Sequence, residues 1–416
     1  MRFFHLSDLH FGKSLHGVNL LESGDQPHWV EGFLTLAART GPDAVVIAGD
    51  VYDRGAPAAG AVELLDRLLT GLSELGIPVL LIPGNHDSPQ RLAFGRRLLE
   101  RQGLHIAPPL TAPGRLTRVT LTDAYGPVDF WLMPYLFPAL ASAALGRELR
   151  DYDEALRAVL AAQELDPARR NVVVAHQNVT AGGAEAERGG SESAVGGVGQ
   201  VDFTAFDGFD YAALGHIHAG YSVGRSAVRY AGSPLCYHFN ETKQAQKGPL
   251  LVTLGPKGTT PDIELMPLAP LHPLRCNTGS YEAVRTAEAA RTVGGEYVSI
   301  TLTDRRITPQ LAEDLRGLLE TRDSLLLELS SSFRSVGSAD SPVVSELGQR
   351  GLVELFSDFY AQKYESAGPE EAELVLLARA EELAQRAELR LPPEEAQVEA
   401  LLKDALRGES CETDLS

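Results

Sequence analysis

Seven residues of this chain are of types that ligate hard or borderline metal ions, and each one ends or follows a short apolar run. Asp8 and His10 follow Phe3 to Leu6, and Asp50 follows Ala44 to Ala48 and Gly49. Asn85 lies in Gly84-Asn85-His86-Asp87, straight after the run Ile77 to Pro83. His176 closes Val172 to Ala175, and His216 and His218 follow Tyr211 to Leu214 and Gly215. Asp8 and His10 are two apart on a stretch that reads as extended, as are His216 and His218, so each pair can aim both side chains the same way. Asp50 can bridge two ions, Asn85 offers a neutral carbonyl oxygen, and His176 a ring nitrogen. A mixed nitrogen and oxygen set without thiolates suits manganese, iron or zinc rather than a soft-metal centre.

Two ions about 3.5–4 Å apart are what hydrolysis of an anionic phosphodiester calls for: one activates a water, and both hold the oxygens on which charge develops. The departing alkoxide also needs a proton. His86 is adjacent to a ligand but surplus to the ligand set, and imidazoles exchange protons near neutral pH, which makes it the natural donor. Asp87 either orients His86 or caps the helix expected after Ser88-Pro89. Taken singly, these residues have plainer explanations: Asp8 and His218 as caps or surface groups, Asn85 as a turn former, His86 as a solvated loop residue. Their recurrence at five strand ends is what points to one site. His5 alternates towards the sheet core and reads as structural. His28, His105, His238 and His272 lack such a context, although His16 and His238 lie nearest the expected rim and are candidates to touch substrate.

Ligands at the ends of successive buried strands need parallel strands whose carboxyl ends meet at one edge of the sheet. The chain supplies an α/β alternation suited to this. Ala58 to Leu75 places Val62, Leu65, Leu68, Leu69 and Leu72 at helical spacing, and Leu92 to Arg101 reads as a further helix ended at Gly103. Val119 to Asp123 and Val128 to Met133 read as a hairpin across Tyr125-Gly126-Pro127, and Asp151 to Leu165 as a helix. Residues 182–199 form a polar loop between two ligand-bearing strands, expected at the rim of the site. Further strands follow at 221–223, 227–230, 250–254 and 263–265. The expected architecture over residues 1–270 is two facing mixed sheets flanked by helices.

A small α/β domain is expected over 271–345, with a strand at Tyr297 to Leu302, a helix from Pro309 and a strand from Leu325. Residues 346–416 read as a helical C-terminal region. There, Leu376, Ala380, Leu383 and Ala387 form one apolar stripe, and Val398, Leu401, Leu402, Ala405 and Leu406 another. Such helices pack on the protein itself or dock on a partner.

Composition bounds the reading. At 416 residues with 44% apolar content, the chain can bury full cores in two or three domains. Neither a signal peptide nor an apolar run long enough to span a membrane is evident, and the expected location is cytoplasmic. Cys236, Cys276 and Cys411 are too far apart for a zinc knuckle and odd in number for a disulfide framework. A net charge of −19 weighs against an autonomous nucleic-acid binder. Residues 361–416, with 14 acidic and 6 basic residues, hold 8 of those 19 excess charges, and a partner could supply the missing positive surface.

The five motifs, Asp8-Leu9-His10, Gly49-Asp50, Gly84-Asn85-His86-Asp87, His176 and Gly215-His216-Ile217-His218, resemble those of the calcineurin-like metallophosphoesterase superfamily. Along nearly its whole length the chain resembles the SbcD family of bacterial nuclease subunits. The stretches His5 to Lys13, Gly49 to Arg54, Phe209 to His218 and Arg229 to Pro234, followed by Glu241 and Lys247-Gly248, carry the likeness. The resemblance implies one metal held by Asp8, His10, Asp50 and His218, a second held by Asp50, Asn85, His176 and His216, and His86 as the catalytic histidine. It implies manganese as the preferred ion for both positions. It also implies a coiled-coil ATPase partner of the SbcC type, action on double-stranded and hairpin DNA in repair, recombination and replication, and a homodimer within a heterotetramer. In those terms residues 271–345 are a capping domain that engages DNA, and the helical tail grips the ATPase. Asp53 stands where archaeal and eukaryotic relatives carry a second histidine, so it cannot handle the phosphate as that residue would. Two other readings remain. A stand-alone phosphatase or small-molecule phosphodiesterase would not need the chain after 275, and a non-enzymatic scaffold would not need a complete ligand set.

Overall fold

The computed structural model describes residues 1–182, 199–244 and 246–333. The helical region expected over 346–416 lies outside these residues, as does the rim loop apart from its ends. Strands Arg2–Leu6, Ala44–Ala48, Val79–Ile82 and Leu104–Ile106 run parallel in the first sheet, and Leu250–Thr253 and Asp262–Leu265 extend it antiparallel beyond Arg2–Leu6. In the second sheet Gly126–Leu132, Arg170–His176, Tyr211–Gly215 and Arg225–Tyr230 are parallel. Thr117–Asp123 and Ser222–Val223 form its antiparallel edges. The hairpin read from the sequence is present, with Thr120 opposite Asp129.

Alternation along the strands explains the layering, because successive side chains point to opposite faces. Phe3, Val46 and Leu80 of the first sheet meet Phe130, Val174 and Tyr211 of the second in a core between the sheets. The opposite faces are covered too. Phe4, Val45 and Ile47 pack on helices Asp25–Thr40 and Ala59–Glu74 through Trp29, Phe33 and Leu68. Trp131, Val173 and Ala212 pack on Leu156 and Val159 of helix Tyr152–Ala161. The result is helix, sheet, sheet, helix, with the central strands buried on both sides. His5 belongs to the central core, where its Nδ1 lies 3.0 Å from the Tyr211 hydroxyl and burial lowers it to about 3, so it is a neutral structural group.

Two helical expectations change. Within Ala59–Glu74 the buried stripe is Ala61, Leu64, Leu65, Leu68 and Leu72, and Val62 is 45% exposed on the other side. The stretch from Leu92 to Arg101 is not one helix. Pro89–Leu92 and Arg96–Leu99 are single turns broken at Gly95, whose φ of 69° no continuing helix accepts, and Glu100–Gln102 tightens to a 3-10 turn.

A third, three-stranded parallel sheet is made by Leu274–Gly279, Tyr297–Leu302 and Leu325–Ser331. Helices Tyr281–Ala290 and Pro309–Glu320 connect its strands and share a separate small core around Val284, Val298, Ile300 and Leu315. It is tied to the first helix through Asp25, whose carboxylate accepts from the Tyr297 hydroxyl at 2.9 Å and lies 3.0 Å from His272 Nδ1. His272, without context in the sequence, is therefore part of this junction.

Candidate metal centre

All five polar strand ends meet at one edge of the two sheets. Three come from parallel strands of the first sheet and two from parallel strands of the second. His10 Nε2 lies 3.2 Å from His218 Nε2. Asn85 Oδ1 lies 3.1 Å from both His176 Nε2 and His216 Nδ1. Asp50 stands between these groups, its Oδ2 3.2 Å from His176 Nε2 and 3.7 Å from His10 Nε2. Ligand atoms of Asp8, His10 and His218 lie within 4.8 Å of one another, and so do those of Asp8, Asp50 and His176. These two sets share Asp8, and a third, His10, Asp50 and His86, overlaps both, so Asp8 and Asp50 each belong to two of the three.

The local backbone departs from the extended chain expected at residues 8–10. Asp8, His10, Asp50 and His216 all have positive φ, at 54°, 44°, 49° and 105°. Non-glycine residues in this region store strain of about 1–3 kcal/mol each and hold it only where the surroundings impose it. Here the 8–11 and 49–51 loops impose it on each other. Asp8 N, His10 N and Phe11 N donate to the carbonyls of Gly49, Asp50 and Val51. Gln26 adds a clamp, donating to the His10 carbonyl at 2.8 Å and accepting from Gly12 N at 2.9 Å. Glycine is required at two approaches: a Cβ at Gly84 would sit 2.1 Å from Asp50 Oδ1, and one at Gly215 2.0 Å from the Ala48 carbonyl oxygen.

The histidines are oriented by what stands behind them. His176 Nδ1 donates to the Ala48 carbonyl at 2.8 Å, which turns Nε2 to the centre. His218 Nδ1 lies 3.2 Å from Glu241 Oε1. His86 Nδ1 donates to the Asp53 carbonyl at 2.9 Å, and its ring stands 4.8 Å from that of His10. Asp53 thus contributes through its main chain, while its carboxylate accepts from Lys13 Nζ at 2.9 Å. Asp87 does not cap the following helix, which has no side-chain cap. Its carboxylate accepts from Gly84, Val51 and Tyr52 N–H groups and ties the two loops together. His238 accepts from Asn240 N and caps the turn Phe239–Lys243, and His16 is exposed beside Phe239.

Charge at the centre is unbalanced. Burial pushes Asp8 above the usual carboxylate range. Burial pushes Asp50 the same way, but the neighbouring His176 outweighs it and Asp50 lies well below that range. Burial would lower His176, yet the Asp50 carboxylate raises it to about 9. His10 is held well below its ordinary value by burial. Two carboxylates and four imidazoles converging away from water are a poor arrangement unless cations neutralise the acids. The donor set therefore fits divalent metal ions.

The fold and site together are those of a phosphoesterase. A family model described as calcineurin-like phosphoesterase matches residues 1–220, more than half of the chain, and the chain belongs to that family. A second model, described as the Type 5 capsule protein repressor C-terminal domain, matches residues 270–364. More particularly, the chain is homologous to SbcD, the D component of the SbcCD nuclease. It is 33% identical over 287 residues to the protein of that name from Staphylococcus saprophyticus, covering 68% of this chain and 73% of that one. A crystal structure of a Thermus thermophilus protein aligns at 14% identity and a TM-score of 0.35, over 56% of this chain and 89% of that one, a likeness too slight to define the fold further.

Sequence reasoning did not assign Glu241, Gln26 or the Asp53 carbonyl to the site. Glu241 was visible only as part of the likeness to a family, and a main-chain acceptor leaves no mark on residue type. Among the described residues no helix is long and apolar enough to cross a membrane.

Proposed function

We propose that the chain is a two-metal phosphodiester hydrolase acting on DNA, the nuclease subunit of an SbcC–SbcD-like assembly. The observation that carries this reading is the cluster of overlapping donor sets in which the Asp50 carboxylate stands between His10 and His176, with His86 against His10. Asp8, His10, Asp50 and His218 would hold one ion, and Asp50, Asn85, His176 and His216 the other, manganese being the expected occupant. Bound there, the ions supply an activated water and positive charge for the phosphate oxygens.

The chain's own groups do the rest. The Asp53 carbonyl fixes His86 with its Nδ1 proton turned away, so Nε2 presents the proton that the leaving alkoxide takes. Asp87 and Gln26 keep the ligand loops from drifting. Exposed Arg54 and Arg91, which reaches the Gly55 carbonyl, put cationic side chains on the loops next to His86, as a polyanionic substrate needs. Homology with SbcD supports an SbcC-like ATPase partner that supplies the main DNA clamp, with residues 271–345 engaging DNA and 346–416 meeting the ATPase. Phe94, 86% exposed, and Leu98, 72% exposed, offer an apolar face for a second copy of this chain.

The test is cleavage of linear and hairpin duplex DNA with Mn2+, with and without the cognate ATPase and ATP. His86→Gln should lower turnover about 10²–10⁴-fold while metal content stays normal. Intact DNA under all these conditions, alongside rapid hydrolysis of a small phosphodiester, would overturn the substrate class.

A further inference from the structure

The two donor sets are not equivalent. In the assignment proposed above, the set around His218 takes both Asp8 and Asp50 and the set around Asn85 takes Asp50, although Asp8 also lies within 4.8 Å of Asp50 and His176, so carboxylate count does not separate the two. The imidazoles do. His176 is backed by a neutral main-chain carbonyl, and His10 Nδ1 makes no hydrogen bond, its nearest carboxylate oxygen being Asp53 Oδ1 at 3.6 Å. Only His218, among these three, has a carboxylate within hydrogen-bond reach of its Nδ1.

That carboxylate is built in. The Glu241 side chain is 2% exposed, and its Oε2 accepts from Lys247 Nζ at 2.8 Å, Tyr237 N at 3.2 Å and Ser233 Oγ at 3.3 Å. The Lys247 side chain, 8% exposed, also donates to Ser233 Oγ at 2.6 Å and to the carbonyl of His218 itself at 2.9 Å. The pair therefore grips His218 twice, at the ring and at the main chain. A buried ion pair is weak evidence of stability, since apolar packing of the same volume often does as well. Its position behind a donor nitrogen is what it explains. A carboxylate there keeps the proton on Nδ1, leaves Nε2 as the electron donor and makes that nitrogen more basic.

We propose that Glu241, held in place by Lys247, is a positioning residue that makes the Asp8–His10–His218 side the tighter of the two cation sites, so that it fills first. This rests on the reading of the centre as a divalent-cation site. The experiment is Mn2+ titration of the metal-free full chain, with free Mn2+ counted by electron paramagnetic resonance. The parent should bind two ions in two affinity classes. Glu241→Gln should weaken the tight class about 10–100-fold and leave the other within about threefold. His176→Ala, which strips the opposite side, should retain one tightly held ion, and adding E241Q should weaken that ion by the same factor. If E241Q does not fold, Glu241→Asp, which keeps the charge but draws it back from Nδ1, should give the same selective loss. Both classes unchanged, both weakened equally, or a lower metal-free melting temperature as the sole effect would each overturn the proposal. A parent chain that binds no Mn2+ would overturn the underlying reading of the centre instead.

Discussion

The first sheet sends Asp8, His10, Asp50 and Asn85 to the shared edge, while the second sends only histidines, His176, His216 and His218. All the formal negative charge of the ligand set thus lies on one layer, and the donor sets that include His218 and His176 draw on both. Backbone strain follows the same division: three of the four positive-φ ligands, Asp8, His10 and Asp50, belong to the first sheet. The sets that include His176 and His218 need both layers, whereas His10, Asp50 and His86 gather on the first alone. The centre is therefore also a seam, and occupancy by metal and packing of the sheets should be thermodynamically linked.

The hardest test of that seam removes its shared acid. Asp50→Asn should abolish tight binding of both ions and lower hydrolysis of a small phosphodiester by more than the 10–100-fold typical of outer-shell changes. Metal analysis after gel filtration checks it, and a variant retaining two ions would mean that the sets do not depend on Asp50. Withdrawing the metal comes next. Saturation with Mn2+ at 100 times its Kd should add about 2.7 kcal/mol per site, or about 3 °C in melting temperature for each ion in a chain of this size, all reversed by a chelator. An unchanged melting curve would uncouple metal from sheet packing.

Gly215→Ala attacks the seam from the second sheet, placing a methyl 2.0 Å from the Ala48 carbonyl of the first. The expected cost is about 1–3 kcal/mol in chemical denaturation, with weaker Mn2+ binding. Wild-type stability would show that the layers part more easily than their packing implies. The smallest effect is that of pH. His176 is raised from 6.5 to about 9 in the metal-free fold, so its pairing with Asp50 stabilises that state fully below pH 6.5 and is lost as pH rises through 9. A metal ion must displace this proton, so Mn2+ affinity should rise about tenfold per pH unit towards pH 9. Calorimetry in buffers of different ionisation enthalpy should register about one proton released per chain at pH 7.5. No release would place the proton elsewhere.

Much of this centre was legible because its signals are local. An apolar run buried on both faces is a short-range pattern, and a metal-capable residue at its end can be seen without knowing where the strand lies. The failures have physical causes too. Leu92 to Arg101 has helical spacing, but Gly95 takes a left-handed conformation there that spacing does not reveal. Asp87 looks like a helix cap because caps precede proline, yet three amides from two converging loops claim its carboxylate. Residues 8–10 look extended because a strand precedes them, whereas the neighbouring 49–51 loop bends them.

By itself the sequence determined the five strand ends that carry metal-capable residues, the hard and borderline character of those residues, and the histidine beside Asn85, all of which are properties of residue type and near-neighbour spacing. The tertiary structure alone decided the pairing across the seam: His176 against Asp50 and Asn85, His218 against His10, and Glu241 and the Asp53 carbonyl behind their imidazoles. Those partners are brought together by the stacking of two sheets whose register is set by the core between them, and contacts over such separations leave no periodicity in the chain.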